Sequence, residues 1–168
     1  MKVLLSSAQI DKRVAELGAE ITEYYRGQPL TVICLLNGAM IFASDLMRRI
    51  DLPVQYDSFA VSSYVNTHST GELKVRSALK LSLENRHVLL IDDILDTGFT
   101  LKCIIRDFLK IGALSVRSCV LLNKNIKDKL FTEPDWVGFE ISDEFVVGYG
   151  LDYNEEYRNL PYIGILQQ

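Results

Sequence analysis

Residues Val88 to Leu101 read VLLIDDILDTGFTL, and this stretch decides the fold. Val88 to Ile91 is a strand-length apolar run without polar alternation, the mark of a strand buried on both faces. It ends in two carboxylates, Asp92 and Asp93. A short turn adds a third, Asp96, and Thr97, Gly98 and Thr100 stand where a helix begins. The first turn of a helix has unpaired N–H groups and the positive end of the helix dipole. With hydroxyls added and a glycine removing side-chain bulk, that place suits a phosphate. The spacing is neither that of a Walker loop nor that of the G-x-G-x-x-G dinucleotide fingerprint. Acids alone would repel a phosphate. They make sense beside one if they hold ribose hydroxyls or share Mg²⁺ with oxygen-rich ligands. The pattern therefore implies a phosphorylated sugar and a hard metal ion. A lone Asp-Thr-Gly would read more simply as a strand end followed by a helix cap; strand, acid pair, third acid and Thr-Gly-x-Thr together are much more specific.

Outward from this motif, the same alternation repeats. Leu30 to Leu36 (LTVICLL) and Ser115 to Leu122 are further buried strands, the first broken by Asn37-Gly38. Ser6 and Gln9 form a capping box, and Ile10, Val14, Leu17 and Ile21 then recur at helical spacing until Gly27. A second helix carries Phe42, Leu46 and Ile50 on one face. A third opens at Thr97-Gly98, carries Leu101, Ile104, Ile105 and Phe108, and ends at Gly112. Val54 to Val65 reads as a strand, and Asn66 to Glu72 (NTHSTGE), small and polar, as a mobile loop. Asn123 to Pro134 is polar and loop-like, with short strands and turns around Trp136 to Ile141 and Phe145 to Tyr149. Strands alternating with helices predict an α/β fold, with a central, mostly parallel sheet flanked by helices. Residues 1–168 are expected to form a single domain. Ligands in such folds sit at the carboxyl ends of the strands, which points to Leu36-Asn37-Gly38 and to Asp92-Asp93.

Composition narrows the function classes. The 168 residues carry a net charge of −4, which argues against a nucleic-acid surface. No apolar run is long enough for a bilayer, and the opening MKVLLSSAQIDKR turns charged too soon for a signal peptide. A cytoplasmic protein without membrane or nucleic-acid partners is expected. Cys34, Cys103 and Cys119 each lie in apolar runs and read as buried free thiols; neither they nor His68 and His87 have metal or nucleophile spacing. A mildly acidic protein that binds an anion must use local devices to do so.

The central motif resembles the signature for 5-phosphoribosyl pyrophosphate (PRPP) of the type I phosphoribosyltransferases: apolar strand, acid pair, two apolar residues, then a turn ending Thr-Gly. Asp96 places the resemblance in the 6-oxopurine branch, the hypoxanthine-guanine phosphoribosyltransferases, over about Leu30 to Leu166. The resemblance implies a type I phosphoribosyltransferase-like fold with a small hood subdomain. It implies purine salvage: PRPP plus hypoxanthine or guanine gives IMP or GMP and pyrophosphate, with Mg²⁺. It also implies a homodimer or homotetramer, and purine nucleoside monophosphates as ligands.

Residue by residue, the resemblance makes Asp96 the general base near the purine. It places the 5′-phosphate on Asp96, Thr97, Gly98, Phe99 and Thr100, and gives Asp92 and Asp93 the ribose hydroxyls and a Mg²⁺ shell. Asn37 and Gly38 match the pyrophosphate loop, which often contains a non-proline cis peptide; many relatives have Lys or Arg at the position of Asn37. Ser63 and Tyr64 match the signature of a flexible loop that closes over the substrates. Lys124 matches the donor to the purine 6-oxygen, and Phe145-Val146 the pair that stacks on the base and offers main-chain contacts. Asp152 matches the acid for a second Mg²⁺ near pyrophosphate and base, and Arg158 the pyrophosphate arginine. Taken singly, Lys124 is a solvated loop lysine, Asn37-Gly38 a turn, Phe145-Val146 core, and Asp152 and Arg158 surface charge. It is their joint spacing that favours function. The rivals are a same-fold PRPP or nucleotide sensor that binds RNA, an enzyme preferring xanthine or adenine, and an unrelated sugar-phosphate enzyme. Asp96, Lys124 and the negative charge oppose the sensor, Lys124 and Asp96 oppose adenine, and the C-terminal segment opposes the unrelated enzyme.

Overall fold

The strand that carries the central motif lies in the middle of the sheet. A computed structural model describes residues 1–62, 74–75, 79–131 and 133–167. In chain order the elements are β1 (Lys2–Leu5), α1 (Ser7–Tyr24), β2 (Leu30–Leu36), α2 (Met40–Met47), β3 (Val54–Ser62), β4 (Lys74–Val75), β5 (His87–Leu95), α3 (Phe99–Lys110), β6 (Ser115–Lys124), β7 (Trp136–Ile141), β8 (Val146–Val147) and β9 (Ile163–Ile165). The main sheet runs β4-β3-β2-β5-β6-β7. Strands β3, β2, β5, β6 and β7 are parallel and β4 is antiparallel to β3.

Alternate residues of the apolar runs feed two separate cores. Val32, Cys34, Leu89 and Ile91 pack with Leu17 and Ile21 of α1 and Phe42 and Leu46 of α2. Ile33, Leu35, Leu90 and Val120 pack with Leu101, Ile104 and Phe108 of α3 on the other face. Both faces being covered is why these strands show no polar alternation. Each such side chain contributes roughly 1.5–3 kcal/mol on burial. The three cysteines are buried and free, and burial pushes the Cys34 thiol up to about 12.

The chain leaves β2 through α2 to β3 on one side and leaves β5 through α3 to β6 on the other. The carboxyl ends of β2 and β5 therefore flank the switch point of the sheet, where a crevice opens.

Local expectations held in several places and were corrected in others. The Ser6–Gln9 capping box is present, with Gln9 N donating to Ser6 Oγ (3.3 Å) and Ser6 N to Gln9 Oε1 (2.9 Å). The second helix ends at Met47, so Ile50 is buried in the turn beyond it. Asn123 and Lys124, read as loop, finish strand β6. Strands β1 and β9 were not anticipated. They form a second, antiparallel sheet, β1-β9-β8, that joins the two chain ends over Val146–Val147 and makes the small hood. Their pairing partners are remote in sequence, and at four and three residues they are too short to show a period. Ser63 and Tyr64, and the expected loop at 66–72, lie outside the described residues.

Candidate active site

The crevice is built from three backbone segments pressed against one another. The first is the turn after β2, where the Leu36–Asn37 peptide bond is cis, as the resemblance implied. Gly38 lies against the acid pair: a Cβ there would fall 1.7 Å from Asp93 Oδ2. Only a hydrogen side chain permits that approach.

The second segment is the end of β5. Asp93 N donates to Asp92 Oδ1 (2.9 Å) and Ile94 N to Asp93 Oδ1 (2.8 Å), which aims both half-buried carboxyls. Burial, then the charge of Asp93, drives the Asp92 carboxyl well above the usual range. Burial also raises Asp93, partly offset by its hydrogen bonds and by Arg158. Two carboxylates this close are costly unless a cation or hydroxyl donors join them.

Beyond them, Gly98 is the N-cap of α3 at φ 80°, and no side chain caps this helix, in contrast to α1. Phe99 N makes a long bond to Thr97 Oγ1 (3.4 Å), and the other first-turn N–H groups are left for a ligand. A Cβ at Gly98 would fall 2.7 Å from Phe131 Cβ, so the glycine is needed for room as well as for its backbone angle. The turn is buttressed from behind, where the Thr97 carbonyl accepts from Leu130 N (2.7 Å) and Phe131 N (3.2 Å). That support was invisible in the sequence, because Leu130 and Phe131 belong to a stretch without periodicity.

The third segment runs from Gly148 to Arg158. Arg158 Nη1 donates to the Gly150 carbonyl (2.8 Å), and Nη2 lies 3.0 Å from both Asp152 Oδ1 and Glu155 Oε2. Asp152 Oδ2 also accepts from Glu155 N (3.0 Å).

Together these segments enclose a cavity of about 550 Å³. It is lined by Asn37, Gly38, Asp92, Asp93, Asp96, Thr97, Gly98, Phe99, Thr100, Asp152 and Arg158, over leucines of β2, β5 and α3. The structure thus brings the expected phosphate, pyrophosphate and metal residues to one place.

Lys124, Phe145 and Val146 stand outside that lining. Leu95 pairs with Asn123, which sets Lys124 level with Asp96 at the sheet's carboxyl edge. Its ammonium meets Asp143 Oδ1 at 3.3 Å, with the side chain only 13% exposed. Phe145 is 41% exposed and meets Tyr153 edge to face, with centroids 5.7 Å apart at 88°. Val146 is buried and paired with Ile165 in the β8–β9 ladder. Tyr153, Asp143 and Glu155 were missed in the sequence reading. The only signal for Tyr153 was an aromatic residue next to Asp152.

Among the described residues, no group of three His, Cys, Asp or Glu side chains is gathered closely enough to hold a metal ion by itself. The cavity lining nevertheless holds Asp92, Asp93, Asp96 and Asp152 against the single cation Arg158. Such a wall accepts a polyanion only with an added cation. Mg²⁺ fits, because it typically takes one or two protein carboxylates and fills its shell with water and substrate phosphate oxygens.

A family model for the phosphoribosyl transferase domain matches residues 2–154. The hypoxanthine-guanine phosphoribosyltransferase of Bacillus subtilis (strain 168) is 47% identical over 167 residues, covering 99% of this chain and 93% of the relative. The hypoxanthine-guanine-xanthine phosphoribosyltransferase of Tritrichomonas foetus is 39% identical over 168 residues, covering 99% and 92%. A crystal structure of a hypoxanthine phosphoribosyltransferase from Staphylococcus aureus superposes with a TM-score of 0.94 at 46% identity, covering 99% of this chain and 91% of that one.

Proposed function

The chain belongs to the phosphoribosyltransferase family, in its hypoxanthine-guanine branch, and from that membership we propose how its residues carry out the transfer. It is a purine salvage enzyme that moves the 5-phosphoribosyl group of PRPP to hypoxanthine or guanine, giving IMP or GMP and pyrophosphate. The observation that carries the reading is the uncapped start of α3 opening into a cavity walled by Asp92, Asp93, Asp152 and Arg158.

In this reading the N–H groups and hydroxyls of Asp96 to Thr100 hold the 5′-phosphate. Asp92 and Asp93 hold the ribose hydroxyls. Asn37, Gly38 and Arg158 hold the pyrophosphate, Arg158 with two N–H groups toward one phosphate. Lys124 donates to the purine 6-oxygen. Adenine presents an amino donor there, and a site built around one hydrogen bond can reject the wrong partner by ~10⁴ or more. The purine stacks on Phe145, with Val146 contributing backbone contacts. As the purine nitrogen attacks the anomeric carbon and the bond to pyrophosphate breaks, the Asp96 carboxylate takes the proton shed by the base. Ser63 and Tyr64 belong to a loop that closes over the substrates and keeps water from the sugar.

Asp92, Asp93 and Asp152 are the residues that would hold Mg²⁺. When bound, the ion supplies neutralisation of the negative charge that builds on pyrophosphate. Each chain acts as one phosphoribosyltransferase domain over residues 1–168, in the cytoplasm, within a homodimer or homotetramer; the oligomer rests on the family resemblance. No described helix is long and apolar enough to cross a membrane. An RNA-binding sensor is disfavoured by Asp96, Lys124 and the net charge of −4.

The test is product formation from PRPP and Mg²⁺ with hypoxanthine, guanine, xanthine and adenine in parallel. Xanthine is included because the Tritrichomonas foetus relative is a hypoxanthine-guanine-xanthine enzyme. Hypoxanthine and guanine are expected as substrates and adenine is not. Preference for adenine would remove the role of Lys124, and tight RNA binding with no base consumed would favour the sensor.

A further inference from the structure

The two halves of the pyrophosphate site come from distant parts of the chain: the Leu36–Gly38 turn, and the segment bearing Asp152 and Arg158. A specific contact joins them. Tyr149 donates its hydroxyl to Asp45 Oδ2 at 2.6 Å, and Asp45 lies on α2, the helix into which the turn runs. Arg48 Nη2 donates to the other oxygen, Oδ1, at 2.7 Å, so Asp45 is aimed from both sides. Burial, reinforced by Asp45, pushes the Tyr149 phenol well above its ordinary value and keeps it a donor.

Tyr149 also has φ 51°, a left-handed conformation that residues other than glycine seldom adopt. Such a conformation persists only where the surroundings over-determine it, and it concentrates at functional sites. The surroundings are these. Tyr149 N donates to Leu160 O (2.9 Å) and Gly150 N to Arg158 O (3.0 Å), while the Gly150 carbonyl accepts from Arg158 Nη1 (2.8 Å). A Cβ at Gly150 would fall 2.2 Å from the Gly38 carbonyl oxygen, so the strip carrying Tyr149 lies directly on the pyrophosphate turn. Beside the Tyr149 side chain is a hollow of about 380 Å³, lined in part by Ile10, Val14, Ile41 and Leu160. Asp45 lines the same hollow, and Tyr149 is otherwise buried in the core, so on the open side the hydroxyl–carboxylate bond is the contact that ties it to α2.

We propose that Tyr149 is a positioning residue for PRPP: through Asp45 it clamps the Asp152–Arg158 segment to the Leu36–Gly38 turn, so that both halves of the pyrophosphate site keep one geometry. The proposal rests on the phosphoribosyl transfer assigned above and adds a residue that touches no substrate.

Steady-state kinetics on Tyr149→Phe, Asp45→Ala, Asp45→Asn and the Tyr149→Phe/Asp45→Ala double variant test it, with KM measured separately for PRPP and hypoxanthine. Loss of a hydrogen bond to a charged group predicts that Tyr149→Phe raises KM for PRPP about tenfold, well beyond any change in KM for hypoxanthine. Asp45→Asn keeps an acceptor and should fall between wild type and Asp45→Ala. In the Asp45→Ala background the Tyr149→Phe change should have little further effect, because the two residues act as one pair. A lower melting temperature with unchanged KM for PRPP, an equal rise in both KM values, or additive effects in the double variant would overturn the proposal. If the wild type itself fails to turn over PRPP with hypoxanthine, the assigned reaction falls and the proposal with it. An active wild type beside kinetically silent variants refutes the proposal alone.

Discussion

Replacing Gly38 by alanine places a methyl group about half an ordinary van der Waals separation from the Asp93 carboxylate, at 1.7 Å from Oδ2 and 2.6 Å from Cγ. Neither neighbour can retreat freely. Asp93 is fixed by the Ile94 N–H on its Oδ1. The turn is backed by Gly150, which lies directly on the Gly38 carbonyl. Relief must come from moving the turn or rotating the acid, and both are part of the proposed substrate site. Overpacking of this kind costs roughly 1–3 kcal/mol, and at ~2–4 °C per kcal/mol for a chain of this size the melting temperature should fall by roughly 2–12 °C. The kinetic effect should be larger, because a misplacement of ~1 Å costs on the order of 10²-fold in rate. The assay is kcat/KM for PRPP at saturating hypoxanthine, beside a thermal melt. Gly27→Ala is the control: an added Cβ there meets nothing within 4 Å, although its φ of +74° makes alanine strained. That variant should lose some stability and keep its kinetics. Wild-type kcat/KM in folded Gly38→Ala protein would refute the claim that Gly38 and Asp93 form one rigid wall of the site.

Other outcomes follow from the same structure. Asp96→Asn should cut turnover ~10²–10⁴-fold, the usual scale for a lost acid–base group, while PRPP binding measured by calorimetry stays close to wild type. Lys124→Ala should raise KM for hypoxanthine and guanine and narrow the discrimination against adenine, read as a ratio of kcat/KM values. Asp57 is buried on β3, where burial raises its pKa but the N–H groups of Leu81, Ser58 and Lys80 outweigh burial and hold it below the usual carboxylate value. Its ionised form therefore contributes stability above the unfolded pKa of ~3.9, and loses it as pH falls through the lower folded value. Asp57→Asn should lower the melting temperature at neutral pH by an amount reflecting ~1–3 kcal/mol, with the gap to wild type closing in acid.

Much of this is legible in the sequence alone, for definite reasons. The runs at Leu30–Leu36 and Val88–Ile91 are apolar apart from Thr31 because helices cover both faces of the sheet, and that signature is local. The acid pair and Thr-Gly turn were legible because strand, turn and helix start adjoin in sequence as they do in space. What could not be read depends on remote pairing. Strands β1 and β9 exist only through each other and β8. The buttress of Leu130 and Phe131 on Thr97, and the Tyr149–Asp45 bond across more than half the chain, leave no periodic trace. The acids that hold the candidate cations, Asp143 on Lys124 and Glu155 on Arg158, look like ordinary surface charge until the backbone brings them round.

Direct titration of the folded, magnesium-replete protein with PRPP, and separately with IMP and GMP, by calorimetry addresses the central claim without depending on any single catalytic step. Saturable binding of both classes of ligand, weakened when Thr97 and Thr100 are replaced together by alanine, is the predicted result. The absence of measurable affinity for either PRPP or the purine mononucleotides would contradict the account.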